Sequence, residues 1–242
     1  MKKSRLYFLT VLILFSVAAE AVTLKYKTIA EDIAQWQKDN PPSAQNKQIF
    51  MDDLKTRISS GIDKQAPKVG MTLGDASFTN QLKQNTTLKN VIGNKNAIIT
   101  FYRGGWCPYC SIQLRAYQQR IEDFKKLNAV LIAITPETPD NSINTQDKLN
   151  LNFTVLTDNN NNYARSMGIV FQISQDIKKI YQQYGIDLSK NNGTNAWELP
   201  LTATFVVDKD LKIHHAFVDA DYTKREEPTT LIDALVKILP SS

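Results

Sequence analysis

Only two cysteines occur in the 242 residues, and they stand three apart, at Cys107 and Cys110. Cysteines used as structural staples are spread along a chain, because a cross-link gains more by closing a longer loop. A pair at this spacing closes almost nothing. It suits chemistry instead: one thiol attacks, the other lies alongside, and a disulfide opens and closes with little backbone movement. The motif Cys107-Pro108-Tyr109-Cys110 follows an apolar, β-prone run, Ala97 to Tyr102, and a double glycine, Gly104-Gly105, that lets the chain bend. Beyond it Ile112, Leu114, Tyr117, Ile121 and Phe124 recur at helical spacing. The motif therefore falls where a strand turns into a helix, with Cys107 near the N-cap and Pro108 at the first helical position, where a missing N–H costs nothing. The unpaired N–H groups and the helix dipole favour an anion there. In such settings a thiol pKa drops from about 8.5 into the range of roughly 3.5–7.5. Arg103 and Arg115 add positive charge nearby in sequence, Trp106 is placed to shield one side of the sulfur, and Tyr109 to shape the surface around the thiols.

Two other readings compete. Inert buried cysteines are common, but Cys-x-x-Cys directly after a strand and a double glycine is not a core pattern. A zinc site needs four ligands. The only histidines, His214 and His215, are neighbours on a predicted strand and point to opposite faces. No metal or other cofactor is expected.

Alternating segments surround the motif. Ile29, Ile33 and Trp36 form a helical stripe ended by Asn40-Pro41-Pro42, and a second stripe carries Ile49, Phe50, Leu54 and Ile58 on one face. Residues 66–70 read as a linker, and 71–92 as short strands or a hairpin. Ala129 to Ile134 is a second buried strand, completing a β-α-β unit. Phe153 to Leu156 is a shorter strand, Tyr163 to Met167 a brief helix closed by Gly168, and 171–184 a helix. Thr204–Val207 and Leu211–His214 flank a hairpin signal at Asp208-Lys209-Asp210, and Pro228 starts a last helix. Helices alternating with strands, with an antiparallel pair at the end, predict an α/β sheet covered on both faces.

The formal net charge is +5, and 42 % of the residues are apolar, enough for a normal core. Basic residues are interspersed with acids, which gives no footprint for nucleic acid. Lys2, Lys3 and Arg5 precede an apolar run, Leu6 to Ala19, and Ala19-Glu20-Ala21 fits a small-x-small cleavage site. Residues 1–21 are thus expected to be a signal peptide, since the run is short for a membrane span of about 20 residues. The mature chain is then periplasmic or secreted, without a stable span. Its expected organisation is a helical extension over 22–65 and a single domain over 66–242.

Phe101-Tyr102-Arg103-Gly104-Gly105-Trp106-Cys107-Pro108-Tyr109-Cys110 resembles the signature of peroxiredoxin-like proteins of the alkyl hydroperoxide reductase/thiol-specific antioxidant (AhpC/TSA) family, within the thioredoxin-like superfamily. Ile134 to Asp140, Trp197 to Pro200, Ala203 to Asp208 and Val218 to Thr223 agree in the same order. The resemblance implies a thioredoxin-like fold, a central mixed sheet with helices on both faces. It implies thiol-dependent oxidoreductase activity on hydroperoxides or protein disulfides, with a protein dithiol or external thiol as reductant. By the same resemblance Asp219 to Tyr222 border the site. Two registers remain open. In the peroxiredoxin register Arg103 stands where the family has proline, Cys107 where it has threonine, and Cys110 attacks. In the thioredoxin register Cys107 attacks and Cys110 resolves. Thr202 occupies the position of the thioredoxin cis-proline, with Pro200 two residues earlier. The arginine that peroxiredoxins carry near there is missing, and the strand before the motif offers no buried acid. The alternative to an enzyme is a binding module holding a permanently closed Cys107–Cys110 disulfide.

Overall fold

The computed structural model describes residues 26–239. Its strands are β1 (Ser77–Asn80), β2 (Asn85–Thr87), β3 (Asn96–Phe101), β4 (Ala129–Thr135), β5 (Thr154–Thr157), β6 (Val170–Gln172), β7 (Glu198–Pro200), β8 (Thr202–Val207) and β9 (Ile213–Asp219). Its α-helices are α1 (Ile29–Asp39), α2 (Ala44–Ser59), α3 (Leu88–Ile92), α4 (Pro108–Gln119), α5 (Ile121–Lys126), α6 (Pro139–Leu149), α7 (Asn162–Ser166), α8 (Gln175–Gln183), α9 (Leu188–Asn192) and α10 (Pro228–Val236). Seven strands form one mixed sheet in the order β2-β1-β5-β4-β3-β8-β9, while β6 and β7 pair separately.

The centre of the sheet follows from its sequence. β3 lies between parallel β4 and antiparallel β8, so it is apolar on both faces. Alternate side chains go opposite ways. Ile98 joins an apolar layer containing both cysteines, Leu114, Tyr117 and Leu231. Ala97, Ile99 and Phe101 join the layer on the other face, with Leu88, Ile92 and Phe205. This is the expected mixed α/β architecture of the thioredoxin-like class, covered on both sides.

The extension is built from capped helices. Thr28 and Glu31 form a reciprocal capping box at the start of α1, and the Ser43 hydroxyl caps α2. Ile29 and Ile33 enter the same layer as the cysteines.

Several elements differ from the sequence reading. The segment 171–184 is not one helix: Val170 and Phe171 are β-prone and pair with Leu199 and Pro200, and α8 starts only after the Ser174 cap. The stripe running from the motif to Phe124 is interrupted at Arg120, which separates α4 from α5. On α2 Ile58 is 51 % exposed, whereas Arg57 is buried against Phe171. The 66–70 linker is tied down, since Ala66 is buried and the Gly70 N–H donates to the Ile213 carbonyl. The leader segment 1–21 lies outside the described residues. No described helix is long and apolar enough to cross a membrane.

Candidate active site

β3 delivers the motif to the C-terminal end of the sheet, and two glycines make the turn. A Cβ on Gly105 would sit 1.9 Å from the Thr145 hydroxyl oxygen, and one on Gly104, at φ +150°, 2.2 Å from Trp106 Nε1. Glycine is therefore required at both positions for α6 and Trp106 to close on the turn. Cys107 is the N-cap of α4, with Pro108 in the first turn, as its spacing implied. Both thiols are free and approach to near 3.1 Å. Cys107 is 0 % and Cys110 1 % exposed.

Arginines surround the sulfurs. Arg103, itself buried, donates from Nη2 to Cys107 Sγ at 2.9 Å and from Nη1 to the Tyr181 hydroxyl at 3.2 Å, while its backbone N–H points at Cys110 Sγ at 3.5 Å. Arg225 donates to the Thr202 hydroxyl, reaches Cys110 Sγ at 3.6 Å and the Tyr109 carbonyl at 3.5 Å. Burial pushes the Cys107 thiol up, but the hydrogen bond from Cys110 and the charges of Arg103 and Arg225 outweigh it and hold its pKa well below the usual thiol range. Burial raises the Cys110 thiol well above that range, and the bond it gives to Cys107 and the charge there add to the rise. One thiol is set up as an anion and its neighbour as a proton donor.

The other side chains singled out from sequence fall as follows. Trp106 packs against Tyr181, ring centroids 5.3 Å apart, with the Arg103 guanidinium 5.5 Å from its ring. Tyr109 lies between Trp36 and Tyr222, at 5.1 and 5.4 Å. Thr202 is buried at the start of β8 and receives the Arg225 bond. Tyr222 borders the site, with Arg103 4.5 Å over its ring. Arg115 does not take part: it sits on the exposed face of α4. His214 and His215 bind separate carboxylates, Asp208 at 2.9 Å and Glu226 at 2.6 Å.

Two groups escaped the sequence reading. The arginine lacking near Thr202 is replaced in space by Arg225, which follows β9. Because β9 runs antiparallel to β8, with Thr202 opposite Asp219, the segment beyond β9 returns to the motif's end of the sheet. The buried acid lacking on β3 is supplied from the next strand as Glu137, just beyond β4. Its carboxylate accepts the Gly105 N–H at 3.0 Å and the Thr145 hydroxyl at 3.5 Å, and burial raises its pKa to about 7 against those two bonds. β3 and β4 are parallel, so whatever follows β4 lies beside the motif, at the strand ends where α/β sheets gather their sites.

Residues 62–216 match the model of the AhpC/TSA family. The chain belongs to that family. A chloroplastic peroxiredoxin Q of Populus jackii is 26 % identical over 175 residues, spanning 72 % of this chain and 70 % of that protein. Among solved structures, peroxidoxin BcpB of Mycobacterium tuberculosis superposes with a TM-score of 0.56 at 15 % identity, over 71 % of this chain and 98 % of that one. Peroxiredoxin 6 of Arenicola marina gives 0.57 at 13 % identity, over 70 % and 72 % of the two chains. These two likenesses carry the fold, and the family match carries the chemical class: this AhpC/TSA protein is a thiol-dependent peroxidase-class antioxidant enzyme.

Proposed function

We propose that the protein is an exported dithiol peroxidase in which Cys107 attacks and Cys110 resolves. The observation that carries this reading is the Arg103 guanidinium on Cys107 Sγ at 2.9 Å, beside a Cys110 thiol whose pKa is raised. The Cys107 thiolate attacks the terminal oxygen of a hydroperoxide. The S–O bond forms, the O–O bond breaks, and the leaving alkoxide or hydroxide takes a proton, giving an alcohol or water and a sulfenic acid on Cys107. Cys110 then displaces the sulfenic oxygen: its thiol proton leaves with that oxygen as water, and the Cys107–Cys110 disulfide closes. An external thiol or dithiol reduces the disulfide and is itself oxidised. Glu137, with a pKa of about 7 beside the turn, is suited to hold a proton during this exchange.

Attack by the first cysteine of the motif is also the register of disulfide exchange, which keeps that activity as the second reading. The test is stoichiometric: the reduced mature protein should consume one hydroperoxide per dithiol and lose both free thiols, and Cys107→Ser should abolish it. Hydroperoxide untouched while a protein disulfide is reduced would favour the second reading. Export rests on Lys2, Lys3, Arg5, the apolar run and Ala19-Glu20-Ala21. Mass spectrometry of protein recovered from the periplasm or medium should find Val22 at its N-terminus; protein found only inside the cell with its leader intact would contradict export.

A further inference from the structure

We infer that the two-helix extension is a wall of the active site that admits small hydroperoxides to Cys107 and keeps macromolecular disulfides out, with Trp36 and Arg57 as the specificity-determining side chains. This rests on the reading of Cys107 as the attacking thiol. The family match begins at residue 62, after both helices of the extension. Yet the first of them packs on the motif, and the second packs on the aromatic residues beside it. From α1, the Trp36 ring meets Tyr109 of the motif at 5.1 Å, and Tyr109 meets Tyr222 at 5.4 Å. From α2, Arg57 lies 4.1 Å over the Phe171 ring and 5.8 Å from that of Tyr222, and it donates to the Ala220 carbonyl at 3.3 Å. Arg103, which holds Cys107, faces the same Tyr222 ring at 4.5 Å. Trp36, Tyr109, Tyr222 and Arg57 thus form a continuous strap from α1 to α2 beside the two buried sulfurs.

Size decides what passes. Disulfide exchange needs three sulfurs close to a line, two of them carried on a second chain, and thiols that are 0 and 1 % exposed offer no surface for that approach. A peroxide brings only two oxygens to the sulfur, which a small fluctuation of the strap admits. α1 is also the part fitted to fluctuate. It buries only Ile29 and Ile33, and its first turn is fastened to the domain by the Glu227 carboxylate, which accepts the Ile29 and Ala30 N–H groups at 3.1 Å each. Elements with few buried side chains open locally below the global unfolding limit.

The experiment uses the reduced mature chain and its Trp36→Ala and Glu227→Gln variants, each checked for native circular dichroism. Cys107 alkylation is timed with iodoacetamide and with a polyethylene-glycol maleimide. Native wild-type protein should discriminate between the two reagents far more than the urea-unfolded chain does. Trp36→Ala should speed the polymer reagent by up to about tenfold, from the loss of one aromatic pair. Glu227→Gln should speed it about two- to fivefold, from the loss of a carboxylate at a helix N-terminus. The iodoacetamide rate should change much less in both. Equal acceleration of both reagents, no acceleration in either variant, or wild-type discrimination no greater than that of the unfolded chain would each overturn the inference. Alkylation reads the wall whether or not peroxide is turned over, so hydrogen peroxide consumption in the same samples tests the peroxidase reading separately.

Discussion

Arg103→Gln should raise the pKa of Cys107, because the thiolate loses the guanidinium that donates to it. The guanidinium donates to Cys107 Sγ at 2.9 Å from a buried position, and among the described residues it pairs with no carboxylate that would share its charge. A unit-charge pair about 4 Å apart at an effective dielectric of about 20 gains roughly 4 kcal/mol. A hydrogen bond to a charged group has a net value of about 1.5–3 kcal/mol. The lower range governs, because a glutamine amide still donates a neutral hydrogen bond and water enters the space left. The assay is the pH dependence of the iodoacetamide rate in a Cys110→Ser background, with and without Arg103→Gln, so that only the arginine differs. Arg103→Lys should fall between, keeping the charge without the planar fork. A midpoint unchanged by Arg103→Gln would refute the assignment of Arg103 as the group that holds the thiolate.

Arg225→Gln should move the Cys107 midpoint less than Arg103→Gln does, because Arg225 reaches Cys110 at 3.6 Å and Arg103 reaches Cys107; an equal or larger movement would contradict the geometry. Glu137 has its folded pKa raised from 4.5 to about 7, so its contribution to stability is fully present below about pH 4.5 and is lost as pH rises through 7. Over that window the loss amounts to about 3 kcal/mol, and Glu137→Gln should show a correspondingly flatter stability profile in urea titrations of the reduced protein between pH 4.5 and 7. Gly105→Ala would put a methyl group 1.9 Å from the Thr145 hydroxyl oxygen and should cost about 1–3 kcal/mol by the same titration; a neutral result would mean that α6 is not closed on the turn.

The strands and the motif were legible because their signals are local. The runs at Ala97 to Tyr102 and Ala129 to Ile134 are apolar over their whole length, as strands covered on both faces must be, and the double glycine marks where the chain turns. Cys107 as N-cap and Pro108 after it follow from helix geometry alone. Arg115 misled because nearness in sequence is not nearness in space: eight residues along α4 it is on the solvent face. Arg225 and Glu137 were hidden for the converse reason. One arrives after an antiparallel return of the chain and the other after a parallel neighbour, and only strand order brings them to the motif. Phe171 read as helix because its partner strand, Glu198–Pro200, carries no period of its own. Arg57 broke the apolar stripe expected of α2, since a guanidinium stacked on Phe171 and paired with Asp53 can be buried where a stripe reads only charge.

The division of labour between the two thiols is tested most directly by trapping the first oxidised species. Reduced Cys110→Ser and Cys107→Ser proteins are each treated with stoichiometric hydrogen peroxide in the presence of dimedone, and the adduct is located by peptide mass spectrometry. The depressed pKa of Cys107 and the raised pKa of Cys110 predict a rapid adduct on Cys107 in the first protein and almost none in the second. An adduct that forms rapidly on Cys110, with Cys107 inert, would contradict the account and put the attack in the peroxiredoxin register.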